Sequence, residues 1–227
     1  MLQRIILSLL LVASGPVLGE TVAVIGTGNV GMALGTEFAG LDHTVIYGSR
    51  NPESEKTRAL VEKTPNATAA LPAAAAAQAD VIVLAVPGMA TESVVRALGD
   101  LSGKIIIDPT NPLIVEGDPP TFTYGTDRSL GEIVQEAHPD AFVVKAFNTI
   151  NWRLMIDPPT PTPVIPLAGD NAAAKAQVAE WVRAMGLDSV DVGGIYHARA
   201  TEYLIVMMLN NSFTGSEKFE VVFRPAE

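Results

Sequence analysis

Short apolar runs alternate with segments of helical periodicity along most of this chain. Thr21–Ile25, Thr44–Tyr47, Val81–Val86, Lys104–Asp108 and Phe142–Ala146 are compact and rich in Val and Ile, as suits strands buried on both faces. Asn66–Leu71 is a weaker third strand. Between these runs, Asn29–Ala39 places Val30, Leu34 and Phe38 on one helical face, and Pro72–Ala79 is an alanine-rich helix opened by proline. Thr91–Leu98 is a further helix, and Ser129-Leu130-Gly131-Glu132 has the spacing of a capping box opening a helix to about Ala137.

The pattern changes after residue 150. Pro158, Pro159, Pro161, Pro163 and Pro166 crowd one stretch, and proline removes ladder donors, so a strand at Val164–Ala168 is expected at a sheet edge. Asp170 is placed as the cap of a helix carrying Val178, Trp181, Val182 and Met185 in register. Ser189–Val192 reads as another edge strand. A last helix over 196–211, apolar in its second half, suits core packing, a homodimer face or the wall of an acceptor site. Strand and helix alternation predicts an α/β fold, a doubly wound parallel sheet over 20–150 with a short C-terminal αβα extension, 151–227, packed on the same domain.

The first strand runs straight into Gly26-Thr27-Gly28-Asn29-Val30-Gly31. A strand, G-x-G-x-x-G and then a helix is the dinucleotide-binding fingerprint of the Rossmann fold. Gly26 permits the tight turn, Gly28 lets the backbone approach a pyrophosphate, and Gly31 lets helix and strand pack closely. The helix N-terminus offers its unpaired N–H groups and positive dipole end to phosphate.

The second strand ends in Gly48-Ser49-Arg50, where an NAD-preferring site usually has an acidic residue for the ribose hydroxyl. A serine hydroxyl and a guanidinium suit a 2′-phosphate instead, so the expected nucleotide is NADP(H). Lys56 and Arg58 lie nearby in sequence. Ligands in such sheets sit beyond the carboxyl ends of the strands. Those ends carry Val86 and Pro87, then Asn111, then Ala146, Asn148 and Thr149. Asn111, Asn148 and Thr149 are placed to orient a nicotinamide carboxamide, or else to satisfy loop backbone. The segment Pro112–Thr126, with Phe122 and Tyr124, is read as a long loop of the kind that forms lids.

Composition narrows the chemistry. A net charge of −10 argues against nucleic acid and anionic membrane surfaces as partners, and makes Arg50 stand out as a local anion site. The absence of cysteine excludes disulfides, thiolate metal sites and a cysteine nucleophile. No metal site is expected, and no catalytic residue is assigned. His43, His138 and His197 are scattered. Residues 1–19 read as a signal peptide, with Arg4 before the apolar Ile5–Ala13 and a cut near Glu20, too short for a membrane span. The expected location is periplasmic or secreted if that signal is used, and cytoplasmic otherwise.

Thr21–Gly31, Tyr47-Gly48-Ser49-Arg50-Asn51-Pro52, Asp108-Pro109-Thr110-Asn111-Pro112 and Val144-Lys145-Ala146-Phe147-Asn148-Thr149-Ile150 together resemble the NADP oxidoreductases that use the deazaflavin coenzyme F420. The set is also similar to the NADPH-binding domain of six-transmembrane ferric and cupric reductases. The resemblance runs from about Thr21 to the last helix. It implies that Thr27, Asn29, Val30, Ser49 and Arg50 hold NADP, and that Pro87 and Ala146 lie beside the nicotinamide. The implied activity is hydride transfer between NADP(H) and F420 or a flavin-like acceptor. The alternatives are a flavin-mediated ferric or cupric reductase and a non-catalytic NADP-binding sensor.

Overall fold

The computed structural model describes residues 19–118, 121–124, 127–214 and 223. The expected signal peptide lies outside the described residues except for Gly19. In chain order the elements are β1 (Thr21–Ile25), α1 (Asn29–Gly40), β2 (Thr44–Gly48), α2 (Glu55–Lys63), β3 (Ala67–Ala70), α3 (Pro72–Gln78), β4 (Val81–Leu84) and α4 (Thr91–Arg96). Then come β5 (Ile105–Asp108), β6 (Leu113–Glu116), β7 (Thr121–Tyr124), α5 (Leu130–Ala137) and β8 (Phe142–Lys145). The chain closes with α6 (Trp152–Ile156), β9 (Val164–Ala168), α7 (Ala172–Ala184), β10 (Asp188–Gly193) and α8 (Ala198–Thr214).

Eight strands form one sheet in the order β3-β2-β1-β4-β5-β8-β9-β10. The pairs from β3 through to β8 are parallel, as is β9–β10. The sheet alternates its side chains between two cores. Val22, Val24, Val81 and Val83 point to the face covered by α1 and α7, where Leu34, Phe38, Val178 and Trp181 meet them. Ala23, Ile25, Ile82 and Leu84 point to the face covered by α3, α4 and α5. Burial on both sides is why these strands read as unbroken apolar runs. The strand order reverses between β1 and β4, which opens a crevice beyond their carboxyl ends.

Three expectations need correction, and one helix was not expected at all. The strand at Val164–Ala168 is not an edge: β9 is fully buried between β8 and β10. It tolerates Pro166 because the missing N–H faces β8. Residues 164, 166 and 168 share that side, and β8 meets β9 there only through Lys145 opposite Ala168, while the Val164 N–H donates to the Phe223 carbonyl at 3.0 Å. The cap of α7 is Asn171, whose side chain accepts from the Ala174 N–H, and not Asp170. Asp170 instead accepts the Ile195 N–H at 2.9 Å and ties the turn before α8 to the end of β9. The segment Pro112–Thr126 is not a plain loop, because β6 and β7 pair as an antiparallel hairpin turning at Gly117, φ 81°. The side chains of Phe122 and Tyr124 lie outside the described ones. Finally, α2 went unexpected because it is polar nearly all round, burying only Thr57; its signal was the Ser54 cap.

The last helix begins at Ala198 and divides its surface. Thr201, Glu202 and Ile205 are buried while Tyr203 and Met207 are exposed. Among the described residues no helix is long and apolar enough to cross a membrane, and no group of metal-ligating side chains gathers.

Candidate functional site

The crevice is built around the three glycines of the fingerprint, each required for a different reason. Gly26 has φ +115°, a conformation that L side chains rarely adopt, and a Cβ there would lie 2.1 Å from the Ala85 carbonyl oxygen. At Gly31 a Cβ would lie 2.2 Å from the Gly26 carbonyl, so this glycine sets how closely α1 packs on the β1 turn. At Gly28 nothing lies within 4 Å of that position. This space is open, and the backbone is bare toward it. Helix α1 starts there without a side-chain cap and without an acidic residue in its first turn, so its dipole end is not locally neutralised.

A cavity of about 530 Å³ extends from this turn to the end of β2. Gly26, Thr27, Gly28, Ser49, Arg50, Val86 and Pro87 line it, together with Asn51, Ser54, Lys56 and Thr57. A second cavity of about 330 Å³ adjoins it across Gly28, Ala85, Val86 and Pro87. Asn29, Val30, Pro109 and Trp152 complete its walls. Among the described residues, Arg50 and Lys56 are the titratable side chains lining these cavities, and both are basic. Arg58 is turned elsewhere, paired with Glu53 at 2.9 Å. Ser49 is buried and braced: its hydroxyl lies 3.1 Å from that of Thr57 and accepts the Asn51 N–H at 3.2 Å.

The remaining expected residues stand behind the wall. Ala146 is fully buried in the core, and Thr149 is buried too. Asn111 and Asn148 are locked together. Asn111 Nδ2 donates to the Asn148 carbonyl at 3.0 Å, and Asn148 Nδ2 donates to Asn111 Oδ1 at 3.1 Å. The Oδ1 of Asn148 is buried without a hydrogen-bond partner. Such an orphan acceptor costs about 1–3 kcal/mol unless a donor reaches it. Phe147 beside it is held at φ 62°, in the left-handed region, although it is bulky and buried. That conformation is strained for such a residue and aims the loop that carries Asn148.

Two features were missed from sequence. Trp152 walls the second cavity, with the Arg153 guanidinium stacked 4.5 Å from its ring centre. Behind the strand ends lies a buried charge cluster. Lys145 Nζ donates to Asp108 Oδ2 at 3.1 Å and to the Thr110 carbonyl at 2.5 Å, and it pairs as an ion with Glu202 Oε1 at 2.6 Å. The side chains of Lys145, Asp108 and Glu202 are all completely buried. Glu202 also accepts the Leu130 N–H at the start of α5, at 3.0 Å. Lys145 sits in an apolar strand and Glu202 in an apolar helix, so each signal was a lone charge in a hydrophobic run. The histidines stand away from both cavities: His43 packs edge-to-face on Phe38 and Trp181, and His138 Nε2 lies 2.9 Å from the Val95 carbonyl.

A family model described as "NADP oxidoreductase coenzyme F420-dependent" matches residues 21–112. The crystal structure of a candidate F420-dependent NADP reductase from Arthrobacter sp. FB24 superposes with a TM-score of 0.79 at 34% identity, covering 89% of this chain and 99% of that one. The F420-dependent NADP reductase of Methanothermobacter marburgensis is 28% identical over 198 residues, which is 82% of this chain and 88% of its own. Metalloreductase STEAP3 of Rattus norvegicus is 31% identical over 189 residues, 83% of this chain. The chain spans little more than a third of the length of that metalloreductase, 37%.

Proposed function

The chain belongs to the coenzyme F420-dependent NADP oxidoreductase family, and from that premise we propose that it binds NADP(H) in the glycine-lined crevice and exchanges hydride with a flavin-like ring. The observation that carries this reading is the wall of the larger cavity. In a chain of net charge −10, the two titratable groups there are Arg50 and Lys56. Their position beside Ser49, at the end of β2, suits a 2′-phosphate.

The residues fit the nucleotide along its length. Gly28 and the uncapped start of α1 suit the pyrophosphate. Thr27, Asn29 and Val30 lie on the same turn, and Val86 and Pro87 lead toward the nicotinamide end. The orphan Oδ1 of Asn148 suits the N–H of a carboxamide, with Asn111 holding it in place. Ala146 and Thr149 shape that end from behind. When bound, NADPH supplies a hydride from a planar ring, so the protein has chiefly to align two rings. The apolar walls of the smaller cavity, Pro87, Pro109 and Trp152, suit a flat acceptor.

A deazaflavin is the first acceptor proposed, since family relatives are named for F420. An ordinary flavin passing electrons to ferric or cupric ion is the second, favoured by the 31% identity to a metalloreductase. NADPH oxidation followed with F420, FMN and FAD offered separately tests both. Tight NADPH binding without turnover on any of the three would leave a nucleotide sensor in place of an enzyme.

A further inference from the structure

From the buried cluster we infer that Glu202 and Lys145 are positioning residues for the carboxamide end of the site, so that α8 is part of the machinery and not only packing. The inference rests on the nucleotide reading above. Its physical basis is what Lys145 ties together. Its two hydrogen bonds go to the end of β5 (Asp108) and to the loop after β5 (Thr110), and its ion pair goes to α8 (Glu202). Thr110 immediately precedes Asn111, and Lys145 itself stands three residues before Asn148. The two loops that carry the Asn111–Asn148 amide pair therefore share one ammonium as their anchor.

The cluster is built to hold one geometry. Asp108 Oδ1 accepts both the Thr110 N–H at 2.9 Å and the Thr110 hydroxyl at 2.6 Å, which fixes the turn into Asn111. The Lys145 ammonium thus meets two carboxylates and a loop carbonyl, all within 3.1 Å. Removing one carboxylate frees the ammonium to turn toward the other partners, and the loop carbonyl it holds then moves with it. A buried ion cluster of this kind is weak evidence for net stability, since apolar residues could fill the same space. Its placement between the two loops and α8 is accounted for by geometry: an orphan acceptor such as Asn148 Oδ1 reads a ligand donor only when its direction is fixed.

The test is a binding selectivity, which simple loss of stability does not alter. Kd is measured by calorimetry for NADP+, for NAD+ and for the NADP+ analogue with an acetyl group replacing the carboxamide. The unmodified chain should prefer the carboxamide roughly three- to tenfold, the worth of one neutral hydrogen bond. Glu202→Gln should bring that preference to within about twofold of unity, while the NADP+/NAD+ preference set at Arg50 stays within about twofold of the unmodified value. Should Glu202→Gln fail to fold, Thr110→Val, which removes only the hydroxyl anchor, is read the same way and should lower the carboxamide preference. Retained preference in a folded variant, with only the melting temperature lowered, would overturn the inference, as would equal binding of the two analogues by the unmodified chain. Absence of NADP+ binding in the unmodified chain would be a different failure, that of the nucleotide reading itself.

Discussion

Asn111 and Asn148, on loops 37 residues apart, exchange amide hydrogen bonds and leave a single acceptor, Asn148 Oδ1, unfilled. Asn111 fixes the flip of Asn148: with Nδ2 committed to Asn111, the oxygen must point the other way. We therefore expect Asn148→Ala to lower kcat/KM for NADPH by roughly three- to tenfold, the loss of one neutral hydrogen bond. Asn148→Asp keeps the acceptor but loses the donor to Asn111, and should fall between the two. Steady-state kinetics on both variants, with NADPH binding measured separately, checks this. Unchanged kinetics in Asn148→Ala would remove Asn148 from the site.

The three glycines of the turn should separate folding from binding. Gly28 has extended backbone, φ −80° and ψ −172°, and open space where a side chain would go. Gly28→Val therefore costs folding only a poorer helix cap, about 1 kcal/mol, yet blocks the approach of a pyrophosphate. Gly31→Ala drives a methyl to 2.2 Å from the Gly26 carbonyl and should instead lower stability directly. Thermal melts paired with NADPH titration give the contrast: a near-normal melt without binding for Gly28→Val, and a lowered melt for Gly31→Ala. Near-normal NADPH affinity in a folded Gly28→Val would show that the nucleotide lies elsewhere.

Most of the sheet could be read from the chain because strands buried on both faces leave continuous apolar runs such as Val81-Ile82-Val83-Leu84. The glycine turn was equally legible, since Gly26 and Gly31 answer local steric demands and the fingerprint spacing marks Gly28. Pro166 misled because its effect depends on which side of β9 lacks a partner, a tertiary fact. The hairpin β6–β7 is marked only by short β-forming stretches around Gly117, too few to distinguish from a loop. The Lys145–Glu202 pair was invisible for another reason. Its partners lie 57 residues apart, and no local pattern links a lysine in one apolar run to a glutamate in another.

A second charge contact docks α8, and it carries a pH signature. Glu132 closes the capping box of α5 and receives the Arg199 guanidinium at 2.7 and 2.8 Å. Burial alone would push this carboxyl up, but the bonds from Arg199 and Ser129 outweigh it and hold it at about 2, below its ordinary 4.5. A depressed carboxyl contributes stability that is present above its unfolded pKa and lost as pH falls through the folded value. The window is thus between about 4.5 and 2. Arg199 is a third exposed, so screening reduces the full linkage value, and about 1–2 kcal/mol is expected near pH 7. Glu132→Gln should lower the melting temperature by roughly 2–8 °C at pH 7. The gap from the unmodified chain should close as the pH is brought to 3 and below. A gap that stays constant with pH would mean that the cap and not the ion pair carries the effect.

Cofactor choice should rest on Arg50 and Lys56 together. The 2′-phosphate is the one chemical difference between NADPH and NADH, so selectivity must come from groups near it. Among the described residues these two are the charged groups on the cavity wall, and neither is held in an ion pair there. A charge-assisted hydrogen bond contributes about 1.5–3 kcal/mol, but Arg50 is exposed, which places it at the lower end. Arg50→Ala should weaken NADPH binding about tenfold and leave NADH almost unchanged. Lys56→Ala should act in the same direction and less strongly, since an ammonium is a point charge without the bidentate fork. Ser49→Ala should be milder still, because that hydroxyl is also engaged by Thr57 and the Asn51 N–H. Raising the salt should narrow the NADPH preference of the unmodified chain, and should narrow it less in Arg50→Ala, which has less charge pairing to screen. Titrations of both nucleotides at two ionic strengths decide the matter. Equal affinity for the two in the unmodified chain sinks the assignment. Equal weakening of both by Arg50→Ala would mean that the guanidinium stacks on the adenine and does not read the phosphate.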